Sequence, residues 1–234
     1  MFGFSLVGLD IEGTGVDALK EPEGGPIVAR SKCYGVLASA WNVPDDEQFQ
    51  RITDGSFAAQ FAEMATELPF EFDTAIEPPP SDCSSEDFHA EYLSLFEVGT
   101  GGPPCPLYGG VWLGNRMGVM EEVVRFYNYF GLKTSGERRI PPDHLSTELE
   151  FLLYLSYREA AAPLPTLAVP YNRAQLDFLD RHPGRWFPKL KERLEELEAS
   201  AFFTGLVDTT ARFLAADRDH LQGAGAPATA SAKQ

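Results

Sequence analysis

Apolar residues recur along this chain every three or four positions, the spacing that gathers them on one face of an α-helix. Tyr34, Leu37, Ala38 and Trp41 form one stripe, Phe57, Phe61, Met64 and Leu68 a second, and Phe88, Tyr92 and Leu95 a third. Pro44 opens a segment between the first two, with Asp45, Asp46 and Glu47 in a first turn where acids complement the helix dipole. Ser84 and Asp87 offer a cap for the third helix. Within LYGGVWLGNRMGVMEEVVRFYNYFGL, Met117, Met120, Val124, Tyr127 and Phe130 share a face, and Gly131 sits where a C′ glycine stops a helix.

The strongest segment is IPPDHLSTELEFLLYL, residues 140–155. Pro141 and Pro142 impose an extended approach, Asp143 suits an N-cap, and Thr147 with Glu150 supplies a second capping-box register. From Leu149 to Leu155 only Glu150 is charged, so a helix over about 143–161 is apolar nearly all round and central to the fold. Asn172 is expected to cap a short helix bearing Leu176 and Leu179 that stops near Pro183. Leu190, Leu194 and Leu197 mark another, and Phe203, Leu206, Val207, Thr210, Phe213 and Leu214 a last one.

Sustained alternation of period two is missing from the sequence, and so is any strand–helix repeat. The pattern predicts an all-α, single globular domain of about nine helices over residues 31–222 and no sheet. A poorly patterned Gly-, Pro- and acid-rich arm (1–30) precedes it, and GAGAPATASAKQ (223–234) reads as a disordered tail. The loop VGTGGPPCP (98–106) is a candidate hinge, where protomers have room to exchange helices.

Charge narrows the possible partners. The chain has 35 Asp and Glu against 19 Lys and Arg, a net charge of −16, and Pro44 to Glu97 holds fourteen acids against one base, Arg51. Such a surface disfavours nucleic acid and anionic lipid and suits a cationic ligand or peptide, beyond its plain service to solubility. Cys33, Cys83 and Cys105 are odd in number and far apart, which suits a reducing compartment. MFGFSLVGLDIEG has no basic n-region, and the chain shows no apolar run of membrane-span length, so a cytoplasmic location without membrane insertion is expected.

Candidate chemistry is sparse. Gly13-Thr14-Gly15-Val16-Asp17-Ala18 matches a dinucleotide-binding pattern formally, but Pro22 and Gly24-Gly25-Pro26 break the helix that pattern requires. His144 and Glu148 at i and i+4 form half a metal site without a third ligand at a usable spacing. The sequence contains neither a phosphate loop nor a nucleophile elbow. Leu107-Tyr108-Gly109-Gly110-Val111-Trp112-Leu113 follows a Pro-rich loop, and its two glycines leave the neighbouring rings room to be partly open. On physical grounds Asp143-His144 remains open between a helix cap, a binding tip and a catalytic pair.

Four motifs in series then resemble one family. Pro142-Asp143-His144-Leu145, with Glu148, Leu149, Phe151 and Leu152, resembles the P-D-H-L-x-x-E-L-x-F-M signature of the TorD/DmsD/NarJ-type redox-enzyme maturation chaperones. Leucine replaces the usual methionine, a volume-conserving change. Leu107–Leu113 is similar to that family's L-Y-x-S-V-Y-L, and Phe126–Leu132 to its F-Y-x-x-F-G-L. Phe178-Leu179-Asp180-Arg181-His182 through Trp186 is similar to F-L-x-x-H-L-x-x-W, with Pro183 and Gly184 in place of the usual leucine, a change expected to shorten or kink the helix. The likeness covers roughly residues 105–190 and is greatest to chaperones of the type II dimethyl-sulfoxide-reductase group, whose clients include dimethylsulfide, ethylbenzene, selenate and chlorate enzymes.

The resemblance implies an all-helical, non-catalytic protein with no cofactor of its own, weak GTP binding having been proposed for some relatives. It would bind the apo catalytic subunit of a molybdenum enzyme, often at its twin-arginine signal peptide, before export, and act as a monomer or weak homodimer. On that expectation Asp143 and Glu148 meet the arginines of the leader and His144 orients the surface beside Pro142. Tyr108, Val111, Trp112 and Leu113 would meet the apolar part. Rival readings are an adaptor for the mature subunit surface and a nucleotide hydrolase.

Overall fold

Helix α7, Leu145–Ala160, is buried at every residue from Leu145 to Tyr157. It is therefore the centre of the molecule, and the other elements arrange themselves around it. The computed structural model describes residues 8–11, 24–134 and 140–225. In chain order these form β1 (Leu9–Ile11), α1 (Pro26–Ala40), α2 (Asp46–Thr53), α3 (Ser56–Ala65) and α4 (Ser85–Phe96). Then follow α5 (Gly109–Leu113), α6 (Arg116–Tyr129), β2 (Leu132–Thr134), α7, α8 (Pro165–Arg181), α9 (Pro183–Glu195) and α10 (Ala201–Gly225).

The architecture is all-α, as the periodicity requires, with α1 and α8 packed directly on α7 and with α9 and α10 closing the far side. One continuous apolar cluster runs from Leu9 to Leu221 and includes most of the residues picked out by spacing. Burying each of its leucines is worth roughly 1.5–3 kcal/mol, which makes α7 a rigid platform. A polar network lies inside this core. The guanidinium of Arg30, fully buried, donates to Asp217, to Glu159 at 3.1 Å and to Gln175 at 2.6 Å, while the Tyr34 hydroxyl donates to Asp217 at 2.6 Å. Paired charge of this kind is tolerated because each donor has its acceptor.

The structure corrects several expectations. A small sheet exists: β1 pairs antiparallel with β2, Leu9 opposite Thr134 and Ile11 opposite Leu132. Three-residue strands are too short to leave a period-two signature, and β1 lies in the segment read as an unpatterned arm. The segment from Leu107 to Phe130 is two helices, because Gly114 adopts a left-handed φ of 73° and Asn115 caps α6 by accepting from the Gly118 amide at 3.1 Å. The buried face of α6 is Val119, Val123 and Tyr127; of the predicted stripe Tyr127 is buried, Met120, Val124 and Phe130 are half-buried, and Met117 is 65% exposed.

Asn172 does not start a helix. α8 begins at Pro165 and continues through Pro170, since packing of Phe178, Leu179 and Gln175 against α7 outweighs one lost backbone bond. At its far end the helix does break, at the corner residue His182, after which Pro183 opens α9. α10 continues through Gly225, into the stretch read as tail. The Gly13–Ala18 pattern lies outside the described residues. The predicted cap at Ser84 and the C′ glycine at Gly131 (φ 74°) are present, whereas Asp45, expected inside a first turn opened by Pro44, is instead the N-cap of α2.

Candidate functional site

The polar tip of α7 is built differently from the capping scheme the sequence suggested. His144, not Asp143, is the N-cap: its Nδ1 accepts from the Ser146 amide at 3.2 Å and lies 2.7 Å from the Ser146 hydroxyl. Asp143, one residue earlier, turns to the neighbouring segment. Its carboxylate accepts from the Gly110 amide at 2.9 Å, and its backbone carbonyl accepts from the Gly109 amide at 2.9 Å. The Leu145 amide donates to the Leu107 carbonyl at 2.8 Å, and Tyr108 and His144 pair as an antiparallel bridge with their rings 5.1 Å apart. Asp143 therefore acts as a clamp on the start of α5, satisfying amides that a five-residue helix leaves without partners.

The capping box at Thr147 and Glu150 is also absent. Glu150 instead accepts from the Gly8 amide at 2.8 Å, tying β1 to α7, and the Thr147 hydroxyl has no partner among the described residues. Tertiary contacts consume the side chain that a helix end would have used locally.

Glu148, one turn into α7, is completely buried. Its Oε2 accepts from the Trp186 indole N–H of α9 at 2.8 Å, and its Oε1 has no partner among the described residues. Burial pushes its carboxyl well above the usual carboxylate range, against the Trp186 hydrogen bond, which lowers it; the nearby Asp143 charge adds to the rise. Asp143 is raised too by burial, with the Gly110 amide and Arg116 opposing. His144, deprived of solvent, is pushed down to about 4 and is neutral at physiological pH. Burial thus disfavours the charged form of all three side chains in this interior joint.

The structure brings all eight predicted residues into one neighbourhood, but in two layers. Asp143, His144 and Glu148 face inward, at 2%, 4% and 0% exposure. Val111 is exposed, and Tyr108, Trp112, Leu113 and Pro142 are half-buried. Trp112 is held by its indole N–H to the Pro106 carbonyl at 2.7 Å, and Pro142 by the Tyr127 hydroxyl, which donates to its carbonyl at 2.8 Å. The inward layer is placed so that it sets the position of the outward one.

Sequence reasoning missed four members of this joint. Gly110 is close to both layers: a Cβ there would lie 2.7 Å from Arg116 Cα and 2.9 Å from the Asp143 carboxylate, so only glycine fits. The glycine pair was visible, but its meaning required the third dimension. Tyr127 read simply as core, and Trp186 entered only as part of a motif. Glu97, raised by burial and lowered by its hydrogen bond with the Tyr108 hydroxyl, gave no signal at all. Among the described residues, no three His, Cys, Asp or Glu are grouped to hold a metal ion, and no helix is long and apolar enough to cross a membrane.

Comparison with known proteins places this joint in a family. The profile of the nitrate reductase delta subunit matches residues 55–192, a span that includes α5, α6, the α7 tip and Trp186. The chain is 33% identical over 202 residues to the perchlorate reductase assembly chaperone protein of Dechloromonas aromatica, an alignment covering 83% of this chain and 90% of that protein. It is 44% identical over 119 residues to the selenate reductase assembly chaperone protein of Thauera selenatis, covering 49% of this chain and 61% of that one. The chlorate reductase assembly chaperone protein of Ideonella dechloratans is 33% identical over 175 residues, covering 74% and 80%. A solved structure of a redox enzyme maturation protein from Archaeoglobus fulgidus aligns at a TM-score of 0.47 and 19% identity, over 82% of this chain and 93% of that one. With most of its length aligned and its motifs in order, the chain belongs to the nitrate reductase delta subunit family, within the TorD/DmsD/NarJ-type redox-enzyme maturation chaperones that its four motifs resemble.

Proposed function

We propose that this protein is an assembly chaperone dedicated to one molybdenum enzyme of the type II dimethyl-sulfoxide-reductase group. It binds the apo catalytic subunit in the cytoplasm, at the twin-arginine leader, and holds it until the molybdenum cofactor is inserted. It does so without turnover or a cofactor of its own, as a monomer or weak homodimer. The carrying observation is the set of relatives named as assembly chaperones of perchlorate, selenate and chlorate reductases and of dimethyl sulfide dehydrogenase.

The joint supports this reading in a specific way. A leader couples two arginines to an apolar stretch, and the outer layer here offers Tyr108, Val111, Trp112 and Leu113 to the apolar part. The inner layer of Asp143, His144 and Glu148 acts by fixing that segment on α7, since a rigid apolar anchor loses less entropy on binding. The arginines are drawn by the acidic surface, in which residues 44–97 hold fourteen acids against one base.

The test uses the full chain and a fluorescent peptide of the leader encoded by the client catalytic gene. Val111 is exposed, so Val111→Asp leaves the fold intact; it is expected to weaken leader binding at least tenfold. Unchanged binding would move the contact away from this segment. An absence of wild-type binding at high micromolar, weaker than about −6 kcal/mol, together with capture of the leaderless subunit, would instead establish an adaptor for the mature surface.

A further inference from the structure

On the face of the molecule formed by α6 and α8, a groove of about 650 Å³ is floored by Phe126 and Phe130. Both rings are anchored below, Phe126 against Phe178 at 5.2 Å and Phe130 against Phe151 at 5.9 Å, so the floor is fixed. The walls are open. Tyr129 is 83% exposed and Val169 42%, an unusual display of apolar surface.

Arg125 stands on one rim and Arg173 on the other. The groove also contains an acid, Asp177, but the Arg181 guanidinium holds it at 2.7 Å and takes Glu122 as well at 2.9 Å. Among the described residues Arg125 and Arg173 have no carboxylate partner, although acids outnumber bases 35 to 19 in this chain. Two unpaired guanidinium groups facing each other across an aromatic floor are the reverse of the surface a cationic leader would choose.

We infer that this groove is a second docking site, for an acidic peptide segment with an aromatic or branched apolar anchor on the mature part of the catalytic subunit. The anchor lies on Phe126 and Phe130 beside Tyr129, and carboxylates on either side of it take the two arginines as bidentate partners. Charge decides between the client's segments: the twin-arginine leader is repelled here, and an acidic stretch is attracted. The two sites then bind different ends of one client, so that each raises the effective concentration at the other. This inference rests on the proposed partner being a molybdoenzyme catalytic subunit.

The experiment compares wild type, the charge reversal Arg125→Glu with Arg173→Glu, and Tyr129→Ala, all with surface-exposed changes and with folding checked by thermal unfolding. The probes are the labelled leader peptide, the apo catalytic subunit with its leader, and the same subunit without it. The expected result is at least a tenfold loss of affinity for the leaderless subunit in the charge reversal, a smaller loss in Tyr129→Ala, and unchanged or tighter leader-peptide binding. The salt dependence of the leaderless complex should flatten in the charge reversal. An unaltered affinity for the leaderless subunit, or no wild-type binding to it, overturns the second site and leaves the functional reading standing on the leader. If the full-length subunit fails to bind at all, both fall.

Discussion

Replacing Glu148 by glutamine tests whether the joint at the α7 tip is neutral, because the amide keeps the shape of the carboxyl and removes its titration. In the folded chain burial holds this carboxyl well above its ordinary range. In the unfolded chain it titrates near 4.3. Between those two values the folded state holds a proton that the unfolded state has released, so wild-type stability falls as pH rises, by about 1.4 kcal/mol per pH unit for one group.

His144 and His182 act with the opposite sign. Burial holds both near 4, so the unfolded state takes up protons first and stability falls as pH drops below the unfolded value near 6.5. These contributions are common to wild type and variant and cancel in their difference. The advantage of Glu148→Gln over wild type should therefore grow as pH rises from 5.0 toward 6.5. Urea unfolding followed by tryptophan fluorescence reads this directly, since Trp41 and Trp186 are fully buried. A difference that stays constant across that range would show that Glu148 is ionised in the fold, and the account of the joint would be wrong.

Two further outcomes follow from the packing. Arg30→Met strands the buried Asp217 and weakens Glu159, so it should cost about 3–5 kcal/mol by thermal or urea unfolding; a loss below about 1 kcal/mol would refute the network's role. Gly110→Ala drives a methyl into the Arg116 backbone and the Asp143 carboxylate, costing about 1–3 kcal/mol; amide exchange over residues 107–113 should accelerate, and unchanged protection there would refute the clamp.

Much of the fold was legible because helices advertise themselves locally. Spacing alone found α1, α3, α4, α9 and α10 and identified α7 as central, and the cap at Ser84 stood where its hydroxyl chemistry put it. The eight site residues were found by motif and proved to be neighbours. Their roles were not legible. Asp143 looked like a cap because nothing in a sequence tells a carboxylate whether to turn toward its own helix or toward Gly110, 33 positions earlier. Glu148 looked like a surface acid because the indole that receives it lies 38 positions away.

The sequence by itself determined that this protein is helical, acidic, built around one apolar helix with a polar entry, and a likeness of one chaperone family. Those properties depend on neighbours within a turn or two, or on counts. The tertiary structure alone decided which side of that entry is open to solvent. It turned the Asp-His-Glu set inward as a joint, left Val111 and its neighbours outside, and opened a cationic aromatic groove between α6 and α8. Each of these depends on contacts between residues far apart in the chain, which no local spacing records.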